Sequence, residues 1–184
     1  MTRLNEKLKV RGFLCIRVLD GKTGKELQRI EKDNLVCVGA KTAIAKLLVP
    51  DLATPQEYNQ LWTVGSGNDN TAPTVSDTDL KGAKTYRQAA DPGDKTYNVG
   101  GVPGLVEVVV TYAVGDGNVL AAGEYFEECG LFSRGNSDIL PGSPAGEGGM
   151  TPGSLMYARQ LHAPIHKDNT IALEYTWRFQ ITTA

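Results

Sequence analysis

Residues 171–181, Ile-Ala-Leu-Glu-Tyr-Thr-Trp-Arg-Phe-Gln-Ile, constrain this chain more than any other stretch. Ile171, Leu173, Tyr175, Trp177, Phe179 and Ile181 alternate with Ala172, Glu174, Thr176, Arg178 and Gln180, the two-residue period of a strand with one buried face. Each of these large side chains contributes on the order of 1.5–3 kcal/mol when fully buried, so the run is predicted to be a central strand of the core.

Other apolar runs continue the theme. Val10 to Leu19 sets Val10, Gly12, Leu14, Ile16 and Val18 on one side and Arg11 and Arg17 on the other. After the turn-formers Asp20 to Gly24 the chain returns through Glu26 to Ile30, a predicted hairpin. Asn34 to Val38 reads as a further short strand. Ala40, Ile44, Leu47 and Leu48 then recur at helical spacing before Pro50, giving the one amphipathic helix expected. Further strands are predicted at Leu61 to Val64, Tyr86 to Ala90, Leu105 to Val114, Glu124 to Phe132 (with Gly130 a bulge or close-approach point) and Leu155 to Leu161, where Pro164 is expected to interrupt.

Between them lie turn-rich segments, which account for the 21 glycines in 184 residues. Gly65 to Leu80 is a long polar surface loop, and Asp91 to Gly104 and Ser133 to Ser154 are rich in Gly and Pro; the last cannot bury enough apolar surface to order without a partner. Short strands separated by turn signals about every ten residues point to an all-β antiparallel β-sandwich, jelly-roll-like, rather than to βαβ units. The expectation is a single domain over residues 1–184 with loop insertions at about 91–104 and 133–154.

Charge and cysteine usage narrow the function classes. A formal net charge of -2 argues against a general nucleic-acid binder, which carries a basic stripe. The charged N-terminus lacks the apolar core of a signal peptide, and no stretch approaches the ~20 apolar residues of a membrane span, so a product made in the cytoplasm and without a membrane partner is expected. Cys15, Cys37 and Cys129 are far apart in strand-like runs and read as buried free thiols.

No catalytic, cofactor-binding or metal-ligating residue is assigned, because each candidate fails on spacing. Gly21-Lys22-Thr23 has Ile16 where a phosphate loop needs its first Gly, and Gly39-Ala40-Lys41-Thr42 has Ala40 where it needs its second. Gly65-Ser66-Gly67 is followed by Asn and Asp rather than by a helix, which reads as a sharp turn. His162 and His166 flank Pro164, which breaks the helical geometry a zinc pair would need; a surface or interface role is favoured. Glu124 and Glu128 share a strand face with Glu127 opposite, and a solvated face is favoured over a glycosidase pair. Asp69, Asp77, Asp79, Asp91, Asp94 and Asp116 lie in loops without calcium-loop spacing.

Three groups of residues, taken together, resemble small structural subunits of tailed-bacteriophage particles. They are the early hairpin with Asn34-Leu-Val, Gly39 and a short helix; Val64-Gly-Ser-Gly with Pro73 and Asp77-Thr-Asp-Leu80; and Glu128-Cys-Gly-Leu-Phe132 with Leu155-Met-Tyr-Ala-Arg159, Ile165-His-Lys167, Leu173 and Trp177-Arg-Phe-Gln-Ile181. Locally, Asp77 is expected to cap a helical turn at Thr78 to Leu80. The resemblance implies a virion protein of tail, collar or baseplate type, in preference to head decoration. It would have no enzymatic activity and no cofactor, its partners being other copies of itself and neighbouring virion proteins. The alternative is a carbohydrate- or receptor-binding module, with Tyr86, Tyr97, Tyr112, Tyr125 and Tyr157 as the aromatics that would meet a host-surface glycan.

Overall fold

The structure, a computed structural model, describes residues 8–48, 60–134, 144–146 and 155–183. Among the described residues are ten strands and one α-helix: β1 (Leu8–Asp20), β2 (Glu26–Val36), α1 (Val38–Leu48), β3 (Leu61–Gly67), β4 (Thr85–Ala89), β5 (Lys95–Tyr97), β6 (Leu105–Tyr112), β7 (Phe126–Ser133), β8 (Pro144–Gly146), β9 (Met156–Ile165) and β10 (Ile171–Thr183). The protein is all-β and every pairing is antiparallel. The strands are hydrogen-bonded in one order, β5-β6-β10-β1-β2-β9-β7-β3-β4-β8.

The closing run is central, as its alternation predicts. β10 pairs with β1 from Leu8↔Thr183 to Asp20↔Ile171 and with β6 on its other edge. Leu173, Tyr175, Trp177 and Phe179 are buried, while Ile171 and Ile181 at the ends are half-buried. At 1.5–3 kcal/mol each, the four buried side chains contribute up to roughly 6–12 kcal/mol against an extended unfolded chain.

The sheet curls at β2. This strand meets β9 only at Leu35↔Arg159 and Val36↔Ala158, and there the ladder turns from the half containing β1, β10 and β6 to the half containing β9, β7, β3 and β4. The two halves share one core, in which Ile16, Val110 and Trp177 pack with Val64, Cys129 and Leu131. Hydroxyl groups bond across it: the Tyr112 hydroxyl donates to the Val64 carbonyl at 3.0 Å, and the Ser66 hydroxyl donates to Tyr175 Oη at 2.7 Å. Helix α1 sits on β9 through Ala40 and Ala43, both buried, and the missing side chain of Gly39 lets the chain approach the Met156 carbonyl.

Four expectations are corrected. Asn34 to Val38 is not a separate strand: β2 continues through Val36, and Val38 already begins α1. Leu48 is 78 % exposed, so the buried side of α1 is made by its alanines. Pro164 does not interrupt β9, which runs through it to Ile165; Pro164 is exposed, where its lost N–H costs no ladder bond. Of the two readings of Gly130, the bulge fails, because it pairs in register with Gly65 and Arg159 while the β7–β9 shifts fall between Phe126 and Glu128 and between Leu131 and Phe132; the close approach holds, since a β carbon there would meet Phe132 Cε2 at 3.1 Å. The Asp91 to Gly104 loop contains β5 and two short 3-10 turns. The reading of Ser133 to Ser154 falls largely outside the described residues.

Candidate functional site

On the outer face of the second half, glycines meet across the strands. Arg87 lies opposite Gly65, Gly65 opposite Gly130, and Gly130 opposite Arg159; in the next row Gly67 lies opposite Glu128. The absent side chains leave a trough, into which Leu80 and Phe132 settle. A β carbon at Gly65 would sit 3.0 Å from Leu80 Cδ1, and one at Gly130 would sit 3.1 Å from Phe132 Cε2, tighter than ordinary packing allows. With Cys37 and Met156, these two side chains make a small second core. The Arg87 guanidinium lies 4.6 Å from the Phe132 ring centre and pairs with Asp79. The polar loop after β3 is therefore laid across the sheet.

An ion-pair network fastens that loop. Glu128 and Arg159 both have 0 % side-chain exposure, and Arg159 Nε donates to Glu128 Oε2 at 2.6 Å. Arg159 Nη1 donates to Asp77 Oδ2 and to the Thr71 carbonyl, both at 3.0 Å, and Nη2 to Asp69 Oδ1 at 3.3 Å. Glu128 also accepts the Gly82 N–H at 2.7 Å and the Lys81 N–H at 3.0 Å. Asp77 accepts the Thr74 N–H at 2.9 Å and the Thr74 hydroxyl at 2.7 Å, and Lys81 Nζ lies 3.3 Å away.

Buried ions cost several kcal/mol each in lost hydration, and this group survives because nearly every lone pair and N–H has a partner. Burial by itself pushes the Asp77 carboxyl up, but the Thr74 N–H and hydroxyl, Lys81 and Arg159 outweigh it and hold it at about 2. The neighbouring Cys37 thiol is pushed up to about 11 by burial and by Asp77, so it stays protonated at neutral pH. With both Nη atoms and Nε of Arg159 engaged by protein oxygens, the arrangement acts as a clamp: it fixes Asn68 to Lys84 against the sheet.

Several sequence readings change here. Glu128 is not on a solvated face; the loop covers it and Arg159 offsets its charge. Asp77 caps no helical turn, because residues 78–80 are not helical and its carboxylate closes a turn with Thr74. His162 is not a surface residue: at 5 % exposure its ring is desolvated, which lowers its pKa to about 4, and its Nδ1–H faces the Ala163 carbonyl at 2.8 Å. Cys15, Cys37 and Cys129 are buried free thiols, as read. Among the loop aspartates, Asp69, Asp77 and Asp79 gather on the covered face around arginines, whereas Asp116 accepts the Ala113 N–H in a distant turn. Among the described residues no group of three His, Cys, Asp or Glu side chains is placed to hold a metal ion. Arg159 enters the sequence reading only as the end of the Leu155 to Arg159 motif, with no charge partner assigned, and Arg87 not at all; the available hint is an arginine following the apolar run Leu155 to Ala158, on a strand expected to be buried.

Of the tyrosines that a glycan site would need, Tyr86, Tyr112 and Tyr157 are buried, which removes them as glycan contacts. Tyr97 is 80 % exposed and Tyr125 is 43 % exposed, the latter edge-on to His166 with ring centres 5.9 Å apart. Tyr97 stands at the rim of an apolar cavity of about 400 Å³ between α1 and the β6–β10 face, lined by Ile44, Leu47, Val106 and Phe179; among the described residues no carboxylate or histidine lines it.

The chain matches no protein-family profile, no curated protein and no solved structure. The molecule is thus defined by its own architecture, an all-β antiparallel scaffold with one face closed by an ion-clamped loop.

Proposed function

We propose that the protein is a structural subunit of a bacteriophage particle, a tail, collar or baseplate component, acting by assembly with copies of itself and with neighbouring virion proteins. The observation that carries this reading is the convergence of separate segments on one clamp. Asp77, Glu128 and Arg159 come from three of the stretches on which the resemblance to phage structural subunits rests, and they meet within hydrogen-bonding distance. A subunit that must hold a long loop in one shape at an interface benefits from such pre-organisation, since less ordering remains to be done on binding. In this reading the curled sheet is a jelly-roll-like sandwich, its chain passing repeatedly between the two halves. A genetic test is direct: a phage lacking this chain is expected to accumulate unjoined particle parts, with assembly restored by supplying the chain in trans. Normal particle yield without it would overturn the proposal.

A second reading, a glycan-binding module, is supported by the exposed ring of Tyr97 beside the apolar cavity. It predicts binding on a glycan array that Tyr97→Ala abolishes; an array with no binding counts against it.

A further inference from the structure

Strand β2 has the longest unpaired edge among the described residues. One side is hydrogen-bonded to β1 from Asn34 back to Glu26. The other meets β9 only at Leu35 and Val36, after which the Gln160 amide donates to the Asp33 carbonyl and the ladder ends. Along this edge Glu26 to Arg29 and Glu31 to Asp33 are exposed, and so are Ala163 and Pro164 on the part of β9 where the ladder would have continued.

Backbone geometry restricts what can pair there. The Cys37 N–H donates to the Tyr157 carbonyl, and the Asp33 carbonyl also points away from β1. Alternation along the strand then turns the backbone groups of Arg29, Glu31 and Asp33 outward and those of Gln28, Ile30 and Lys32 towards β1. A second β2, added antiparallel about a twofold axis, must bring outward-facing residues opposite outward-facing residues. Centred on Arg29, this sets two guanidiniums opposite each other; centred on Glu31, two carboxylates. Centred on Gln28, the ladder runs into the register shift opposite Val18 and Leu19. Centred on Ile30, Arg29 faces Glu31 of the second copy at two places, Gln28 faces Lys32 at two places, and Ile30 meets its own counterpart. That register opposes no like charges. Ile30 is already packed against the core beside Ile16, so its pairing extends an apolar contact.

We infer that two copies of the chain associate edge to edge through β2 in the Ile30-centred register, making one continuous sheet across the twofold axis. Opposite charges facing across strands favour this register, while like charges disfavour its neighbours and blunt the edge against other strands. The inference deepens the assembly role proposed above and rests on it.

Sedimentation of the full chain over a concentration series tests it. The wild-type chain is expected to dimerise. Glu31→Arg places like charges opposite Arg29 at two positions and is expected to weaken dimerisation at least roughly tenfold, as is Arg29→Glu; the combined variant R29E/E31R restores it. Ile30→Cys is expected to form an intermolecular disulfide on oxidation, because directly opposed residues in a non-hydrogen-bonded pair lie within disulfide reach, while Gln28→Cys is not. This second readout holds even if a charge variant folds poorly. A wild-type chain that stays monomeric at millimolar concentration overturns the inference. So does a dimer that is indifferent to E31R and gives no I30C cross-link, although that result leaves an assembly role standing. Absence of the chain from particles would remove that role and leave the dimer untouched.

Discussion

Arg159→Met tests the clamp most severely. The substitution keeps a long apolar side chain but removes the donors to Glu128, Asp77, Asp69 and the Thr71 carbonyl. Glu128 is left fully buried with only the Lys81 and Gly82 N–H groups, and Asp77 is left with Thr74 and Lys81. Breaking a buried ion pair from one side typically costs about 3–5 kcal/mol, and the remaining donors place the expected loss near the lower end, about 3 kcal/mol. For a chain of 184 residues that corresponds to a fall in Tm of roughly 6–12 °C. Urea unfolding followed by the fluorescence of buried Trp177 would measure it. Glu128→Gln supplies the control: it keeps an acceptor for the Lys81 and Gly82 N–H groups without a charge. The double variant R159M/E128Q is therefore expected to be more stable than the sum of the two single losses implies, by at least about 1.5 kcal/mol. Hydrogen exchange should localise the damage, with the amides of Thr74, Lys81 and Gly82 losing protection before those of β10. A loss below about 1 kcal/mol for Arg159→Met, or strict additivity in the cycle, would refute the clamp.

Two pH effects and one packing effect follow from the same geometry. His162 has its pKa lowered by burial to about 4, so the unfolded chain takes up its proton first; its contribution is complete above about pH 6.5 and is lost as pH falls towards 4, by up to about 3 kcal/mol. Stability measured across that window is expected to flatten in His162→Gln, and an unchanged slope would contradict the burial argument. Asp77 works lower on the scale: its carboxyl is held at about 2 against an ordinary 3.8, so its contribution is present above about pH 4 and is lost as pH falls towards 2. Asp77→Asn should remove that acid limb while lowering stability at neutral pH, both readable by urea titration. Gly39→Ala sets a β carbon against the Met156 carbonyl oxygen, part of the backbone that cannot swing aside, and is expected to cost about 1–3 kcal/mol, whereas Gly93→Ala, with nothing within 4 Å, should change stability by less than about 0.5 kcal/mol.

What the sequence made legible was whatever depends on local periodicity. β10, β1 and β6 announce themselves because one face of each meets the shared core, so apolar letters fall at every second position. The apolar trace of β2 ends at Ile30 because Glu31, Lys32 and Asp33 are polar; they are so because the strand has a free edge and a solvated face there, which leaves no apolar signal to follow. The clamp was illegible for a different reason. Glu128 and Arg159 read as solvent-facing letters in strands, and their burial comes from a loop whose own residues are polar. The clamp ties that loop to Glu128 and Arg159 through contacts between positions 46 to 90 apart in the chain, which no window on the sequence contains. The glycines were the local trace of it: Gly65, Gly67 and Gly130 mark the trough, and their rows become visible only once the register of β3 and β7 is fixed.

The central claim is that this scaffold is built into a particle. Quantitative mass spectrometry of phage particles banded by density and stripped of loosely bound protein tests it most directly. The account predicts the chain at a fixed number of copies per particle, the same from one preparation to the next. Recovery only in the soluble fraction, or in particles at an amount that falls with each wash, would contradict it.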